Sequence, residues 1–107
     1  MKLVIAIINR DDANAVTQNL AKNGFYSTKL ASSGGFLLAG NITVLIGVKE
    51  EKVQNVIDII NEHSHSRKQL IPATAEMGMS YMPTLPVEVT VGGATVFVVD
   101  VERFERL

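Results

Sequence analysis

Thr28-Lys29-Leu30-Ala31-Ser32-Ser33-Gly34-Gly35-Phe36-Leu37, followed shortly by Asn41-Ile42-Thr43, is the stretch of this chain best equipped for ligand chemistry. β-compatible residues run into a serine pair, a glycine pair, an aromatic and then an asparagine. Paired glycines free the main chain to adopt positive φ and let a ligand approach it closely. Hydroxyls and bare N–H groups can form a concave nest for an anion, and Phe36 offers a flat face on which a base could stack. This set suits a nucleotide or another small phosphate-bearing ligand better than it suits catalysis. The same residues also fit an ordinary turn, with Phe36-Leu37-Leu38 as core.

Other reactive groups are less well assembled. His63-Ser64-His65 holds two imidazoles, but a transition metal would want a third ligand such as Glu62, and a solvated helix end explains them better. Asp11-Asp12 and Glu50-Glu51 resemble carboxylate pairs and fit helix starts. Ser32 and Ser33 have no placed His/Asp relay, which speaks against an acyl-transfer nucleophile. Zero cysteines exclude disulfides, thiolate zinc sites and cysteine nucleophiles. Met77, Met79 and Met82 fit either an adaptable protein-contact patch or loop packing.

The elements that must position these residues read as two half-units. Leu3 to Ile8 is a Val/Ile-rich run bounded by polar residues, the pattern of a buried strand. Asp11 or Asp12 can cap a helix carrying Ala13, Val16 and Leu20, which Asn23-Gly24 then stops. Phe25 to Ala31 predicts a second strand and Ile42 to Val48 a third. The next helix runs from about Glu50 to Glu62, with Val53, Val56, Ile57 and Ile60 on one face and two glutamates suiting the dipole at its start. Residues His63 to Pro86 hold all three prolines and little period, as functional or mobile loops do. Val87 to Val91 and Ala94 to Val99 flank Gly92-Gly93, which predicts a closing hairpin.

The predicted fold is therefore α+β: ferredoxin-like βαββαβ with an added C-terminal strand, its antiparallel sheet carrying both helices on one face. A length of 107 residues makes it one domain, 1–107, near the size where association helps stability. With 47% apolar and 20% charged residues, the chain reads as globular. Ten basic and eleven acidic side chains leave a net charge of −1 with no basic patch, so nucleic acid is not an expected partner. The opening apolar run is too short for a signal-peptide core or a membrane span, and a cytoplasmic protein without membrane insertion is expected. In so apolar a chain, the sheet face opposite the helices needs a cover, and self-association is the simplest one.

At the level of whole blocks, the chain resembles the PII-like cyclic di-AMP receptor family, a branch of the trimeric PII-type signalling proteins. The blocks are Thr28-Lys29-Leu30-Ala31, Gly34-Gly35-Phe36-Leu37, Gly40-Asn41 with Thr43, Gly47-Val48, Met77-Gly78, Pro86-Val87-Glu88-Val89 and Val91-Gly92-Gly93-Ala94-Thr95-Val96-Phe97-Val98. They extend from the first strand to Phe104. The resemblance implies a homotrimer that binds cyclic di-AMP between neighbouring subunits and needs no other cofactor. It also implies a T-loop-like ligand loop at 32–41 and a long B-loop-like segment at 64–86. Thr28 would then lie near a phosphate or ribose. Gly35, Phe36 and Leu37 would embrace one adenine, Asn41 would hydrogen-bond base or sugar, Gly47 would give close backbone access, and Phe97 would come from an adjacent strand or subunit. A base–aromatic contact is worth roughly 1–3 kcal/mol.

Two positions depart from the family pattern. Its members usually carry an arginine on the ligand's phosphate where this chain has Tyr26, which can donate one neutral hydrogen bond but no guanidinium fork. Losing a charge-assisted bond costs about 1.5–3 kcal/mol. The family's penultimate glutamine is Arg106 here, a positive charge that could reach the ligand from another direction. The implied function is a non-enzymatic signalling protein whose loops order around cyclic di-AMP and address an unidentified downstream protein. The alternatives are the same fold sensing a different adenine nucleotide or metabolite, because of Tyr26, and a small ferredoxin-like enzyme using the Ser/Gly loop.

Overall fold

The first strand, β1 (Lys2–Asn9), alternates as its sequence demands: Val4, Ala6 and Ile8 are fully buried, while Leu3, Ile5 and Ile7 are only half-buried. In the computed structural model, which describes residues 1–30, 40–71 and 86–107, β1 runs straight into α1 (Arg10–Lys22). The helix starts earlier than expected. Asn9, not Asp11 or Asp12, is the cap: its Oδ1 accepts the Asp11 N–H at 2.9 Å, satisfying one orphan donor. Both aspartates fall in the first turn, where they complement the dipole. Ala13, Val16 and Leu20 form the buried stripe. At the far end the Phe25 N–H returns to the Leu20 carbonyl at 2.9 Å, and Gly24 adopts a φ of 83°, a conformation costly for a side chain-bearing residue.

The short β2 (Ser27–Leu30) and the longer β3 (Asn41–Val48) follow, then a 3₁₀ turn over Glu50–Lys52 leading into α2 (Val53–Ser64). α2 buries Val56 and Ile60, and Ile59 and Val53 pack against the same cluster as Val44, Ile46 and Val48 of β3. Both helices thus cover one face of the sheet. Burying each such side chain is worth about 1.5–3 kcal/mol, and this shared layer is the core.

The remaining strands are β4 (Arg67–Ile71), β5 (Val87–Val91) and β6 (Ala94–Asp100). The main sheet has the order β2-β3-β1-β6, all antiparallel, while β4 and β5 form a separate two-stranded ribbon. The fold is the expected ferredoxin-like α+β arrangement with extra strand, and β6 supplies its last core position beside β1. The hairpin expected about Gly92-Gly93 does not form. β5 pairs with β4, and β6 pairs with β1 from Ile8↔Ala94 to Lys2↔Asp100.

The two glycines instead carry the chain from ribbon to sheet, at φ 76° and 85°. The Gly93 N–H donates to the Ser64 carbonyl. At Gly92 a Cβ would lie 2.4 Å from Arg67 Nη1 and 2.9 Å from the His65 carbonyl oxygen, so no side chain fits. β4 itself falls in the stretch that looked structureless, because Arg67-Lys68-Gln69 gives it a polar start. Phe104, in the segment after β6, is 62% exposed.

Candidate functional site

Antiparallel partners share a face, and faces alternate along each strand. Applied to the register, this rule gathers the candidate residues onto the sheet face away from the helices. Thr28 lies opposite Leu45, Leu45 opposite Ile5, and Ile5 opposite Phe97. Those four form one row from edge to edge. Gly47 and Leu3 belong to the next row, beside Val99, and Tyr26 immediately precedes β2 on that side. Asn41 opens β3 opposite Asn9, on the same alternating set.

The exposure of these residues follows from their place. Tyr26 is 82% and Phe97 52% exposed, and Thr28 and Gly47 are exposed as well. Around them Leu3, Ile5, Ile7 and Leu45 are only half-covered, and Leu30 and Val99 are exposed. A contiguous apolar surface of this kind, studded with threonines, marks an interaction site. Gly47 is not forced by packing within the chain: a Cβ there would meet only Met1 Sδ, at 3.9 Å. Arg106 lies exposed in the segment after β6. Gly35, Phe36 and Leu37, with Ser32, Ser33 and the rest of the expected T-loop-like stretch up to residue 39, lie outside the described residues, as do Met77, Met79 and Met82.

Asn41 contributes to a second feature. With Ile7, Gly92, Gly93, Ala94 and Thr95 it lines an open polar hollow of about 310 Å³ at the end of the sheet where β3 and β6 begin. The start of β3 and the Gly-Gly crossing therefore share one concavity. The Arg10 N–H, first in α1, donates to the Gly40 carbonyl at 2.6 Å and fixes the chain entering β3. Lys29 Nζ donates to Asn14 Oδ1 at 2.7 Å, tying β2 to α1.

Two of the ion pairs among the described residues tie strands to their surroundings away from the row. Arg67 donates from both terminal nitrogens to Asp12, at 3.0 and 3.3 Å, and to the His65 carbonyl at 3.2 Å. Hydrogen bonding to Asp12, which is nearly buried, holds the guanidinium above its ordinary pKa. Lys2 pairs with Asp100 across the β1–β6 edge; the hydrogen bond raises the pKa of Lys2 and lowers that of Asp100.

His63 and His65 stand at the end of α2, and among the described residues no three metal-ligating side chains cluster. None of the described helices is long and apolar enough to cross a membrane. The Asp12–Arg67 pair and the polar hollow were not foreseen from the sequence. Pairings across fifty-five residues leave no local signal.

A family model described as cyclic-di-AMP receptor matches residues 1–107, the whole chain. Among solved structures, the chain is similar to the crystal structure of a functionally unknown protein from Pediococcus pentosaceus ATCC 25745. The two are 40% identical with a TM-score of 0.78, and the match covers 99% of this chain and 96% of that one.

Proposed function

This chain belongs to the cyclic-di-AMP receptor family, and from that premise we propose that it binds cyclic di-AMP between the subunits of a homotrimer. Membership carries a non-enzymatic, cyclic di-AMP-binding signalling role. The observation that carries the finer reading is the row Thr28–Leu45–Ile5–Phe97. Its ends lie on β2 and β6, the two edge strands of the main sheet. Three strand spacings separate them, about 14 Å. Within one chain, Thr28 and Phe97 cannot grip the same adenine.

Between two copies they can. When the β6 edge of one subunit meets the β2 edge of the next, Phe97 comes beside the neighbour's Thr28, Tyr26 and Gly47. Edge strands also carry unpaired backbone groups that favour such pairing, and the same assembly covers the open apolar face. Head-to-tail contacts of this kind close into rings. Asn41 stands at the mouth of the ligand loop to read base or sugar through its amide. Gly35, Phe36 and Leu37 complete the adenine site from the T-loop-like segment 32–41, and Arg106 reaches the ligand from the C-terminal segment. Bound nucleotide favours one arrangement of that loop and of the B-loop-like segment 64–86, and a downstream protein in the cytoplasm reads the difference.

Calorimetry of the purified protein against cyclic di-AMP, ATP, AMP and cyclic di-GMP tests this reading. It predicts heat with cyclic di-AMP and a stoichiometry of one per subunit interface. Absence of heat with cyclic di-AMP at high concentration sinks it. A second reading, the same site serving another adenine nucleotide, is favoured by Tyr26, which presents an exposed neutral phenol where a phosphate-holding arginine is usual. Stronger heat with ATP or AMP would select it.

A further inference from the structure

The first turn of α1 touches both loop systems at once. Its first residue gives a backbone N–H to Gly40, where the chain leaves the ligand loop and enters β3. Two residues on, Asp12 holds both terminal nitrogens of Arg67, the first residue of β4. Arg67 in turn braces the His65 carbonyl and lies against Gly92, the exit of the ribbon. Gly92 and Gly93 then share a polar hollow with Asn41, which closes the circuit back to β3.

A lone two-stranded ribbon is marginally stable in water, and Lys68–Glu88 across it is an exposed pair. Its orientation must come from its attachments. Among the described residues those are the Asp12–Arg67 fork and the Gly93–Ser64 hydrogen bond. The bidentate geometry matters, because a guanidinium fork fixes direction where an ammonium fixes only distance.

We infer that the first turn of α1 is a shared anchor, in which the Arg10 amide and the Asp12 carboxylate couple the Gly40–Asn41 loop base to the β4–β5 ribbon. Asp12 and Arg67 are positioning residues: they touch no ligand and act through the backbone they hold. Such coupling is reciprocal, so loosening either end loosens the other. Its use in signalling rests on the ligand reading above; the anchor itself does not.

Hydrogen exchange on the full chain without nucleotide tests it. Arg10→Pro removes the amide donor yet keeps the helix, since proline suits the first helical position and Asn9 already has the extended ψ of 138° that a following proline requires. Arg10→Ala keeps the amide. Arg10→Pro is expected to speed exchange at residues 67–71 and 87–91 by at least about fivefold, with Arg10→Ala unchanged. Arg67→Lys and Asp12→Asn are expected to speed exchange at Asn41 and Ile42 by a similar factor. Protection across Val4–Ile8 reports that each variant is folded.

If each variant loosens only its own attachment, or none does, the shared anchor is wrong. A parallel cyclic di-AMP titration of the unmodified protein reads the ligand separately. A wild type that binds nothing, combined with coupled exchange, overturns the ligand and keeps the anchor.

Discussion

The two faces of the main sheet are both apolar, and among the described residues only one is covered. Toward the helices, Val4, Ala6, Ile8, Val44 and Ile46 are wholly buried. On the other side Leu3, Ile5, Ile7 and Leu45 remain half-covered, with Phe97 and Val99 exposed. An antiparallel sheet that faced water on one side would alternate apolar with polar residues. These strands do not. The covered face builds the core, and the second face fits the proposed contact, with the exposed Thr28, Thr95 and Gly47 interrupting its apolar surface at the places where a polar ligand could enter.

Substitutions on the two faces should therefore fail in different ways. Ile46→Ala, on the covered face, is expected to cost about 2–5 kcal/mol, read as a lowered denaturant midpoint that does not depend on protein concentration. Ile5→Glu, on the open face, is expected to leave a folded subunit but collapse the mass in light scattering from trimer to monomer. A trimer mass retained in Ile5→Glu would show that the open face is not the assembly surface. Asn41→Ala removes one amide at the edge of that face and is expected to weaken cyclic di-AMP binding by about 0.5–1.5 kcal/mol, measured by calorimetry, with the trimer intact.

The smallest effect belongs to the Lys2–Asp100 pair, which belongs to neither face's central row. Its pKa for Asp100 is lowered in the folded chain and that of Lys2 raised. The Asp100 contribution is therefore present above the ordinary carboxylate range and lost as pH falls through the lowered value. The Lys2 contribution is present below the ordinary ammonium range and lost as pH rises beyond it. Asp100→Asn should differ slightly from wild type in urea midpoint at neutral pH, and the difference should vanish in acid. A gap that grew on acidification would contradict the assigned direction.

How much of this could be read before the structure depended on range. Elements with local period were legible: the Val/Ile alternation of β1 and β3, the stripe Ala13–Val16–Leu20, and the stop at Asn23-Gly24. The ferredoxin-like order followed from them. The cap was misplaced because three consecutive polar residues, Arg10-Asp11-Asp12, hid a helix already begun at Arg10. Gly92-Gly93 misled for a related reason. Two glycines between β-rich runs suit a tight hairpin, but strand pairing is decided by what else is available, and β1 had a free edge for β6 while β4 offered one to β5. The candidate residues Thr28, Asn41, Gly47 and Phe97 came from blockwise resemblance. That they share one face required the register, which no local pattern gives. The Asp12–Arg67 fork joins residues too distant in sequence to signal each other.

The central claim is that one ligand is gripped by two subunits, Thr28 from one edge and Phe97 from the other. Mixing tests it most directly. Thr28→Arg and Phe97→Ala variants are each prepared with impaired cyclic di-AMP binding, then co-refolded into mixed trimers and titrated. If the site spans the edges, some interfaces in the mixture carry neither substitution, and high-affinity binding returns to a fraction of sites. If both residues act within a single chain, every site keeps one lesion, no high-affinity binding returns, and the account is contradicted.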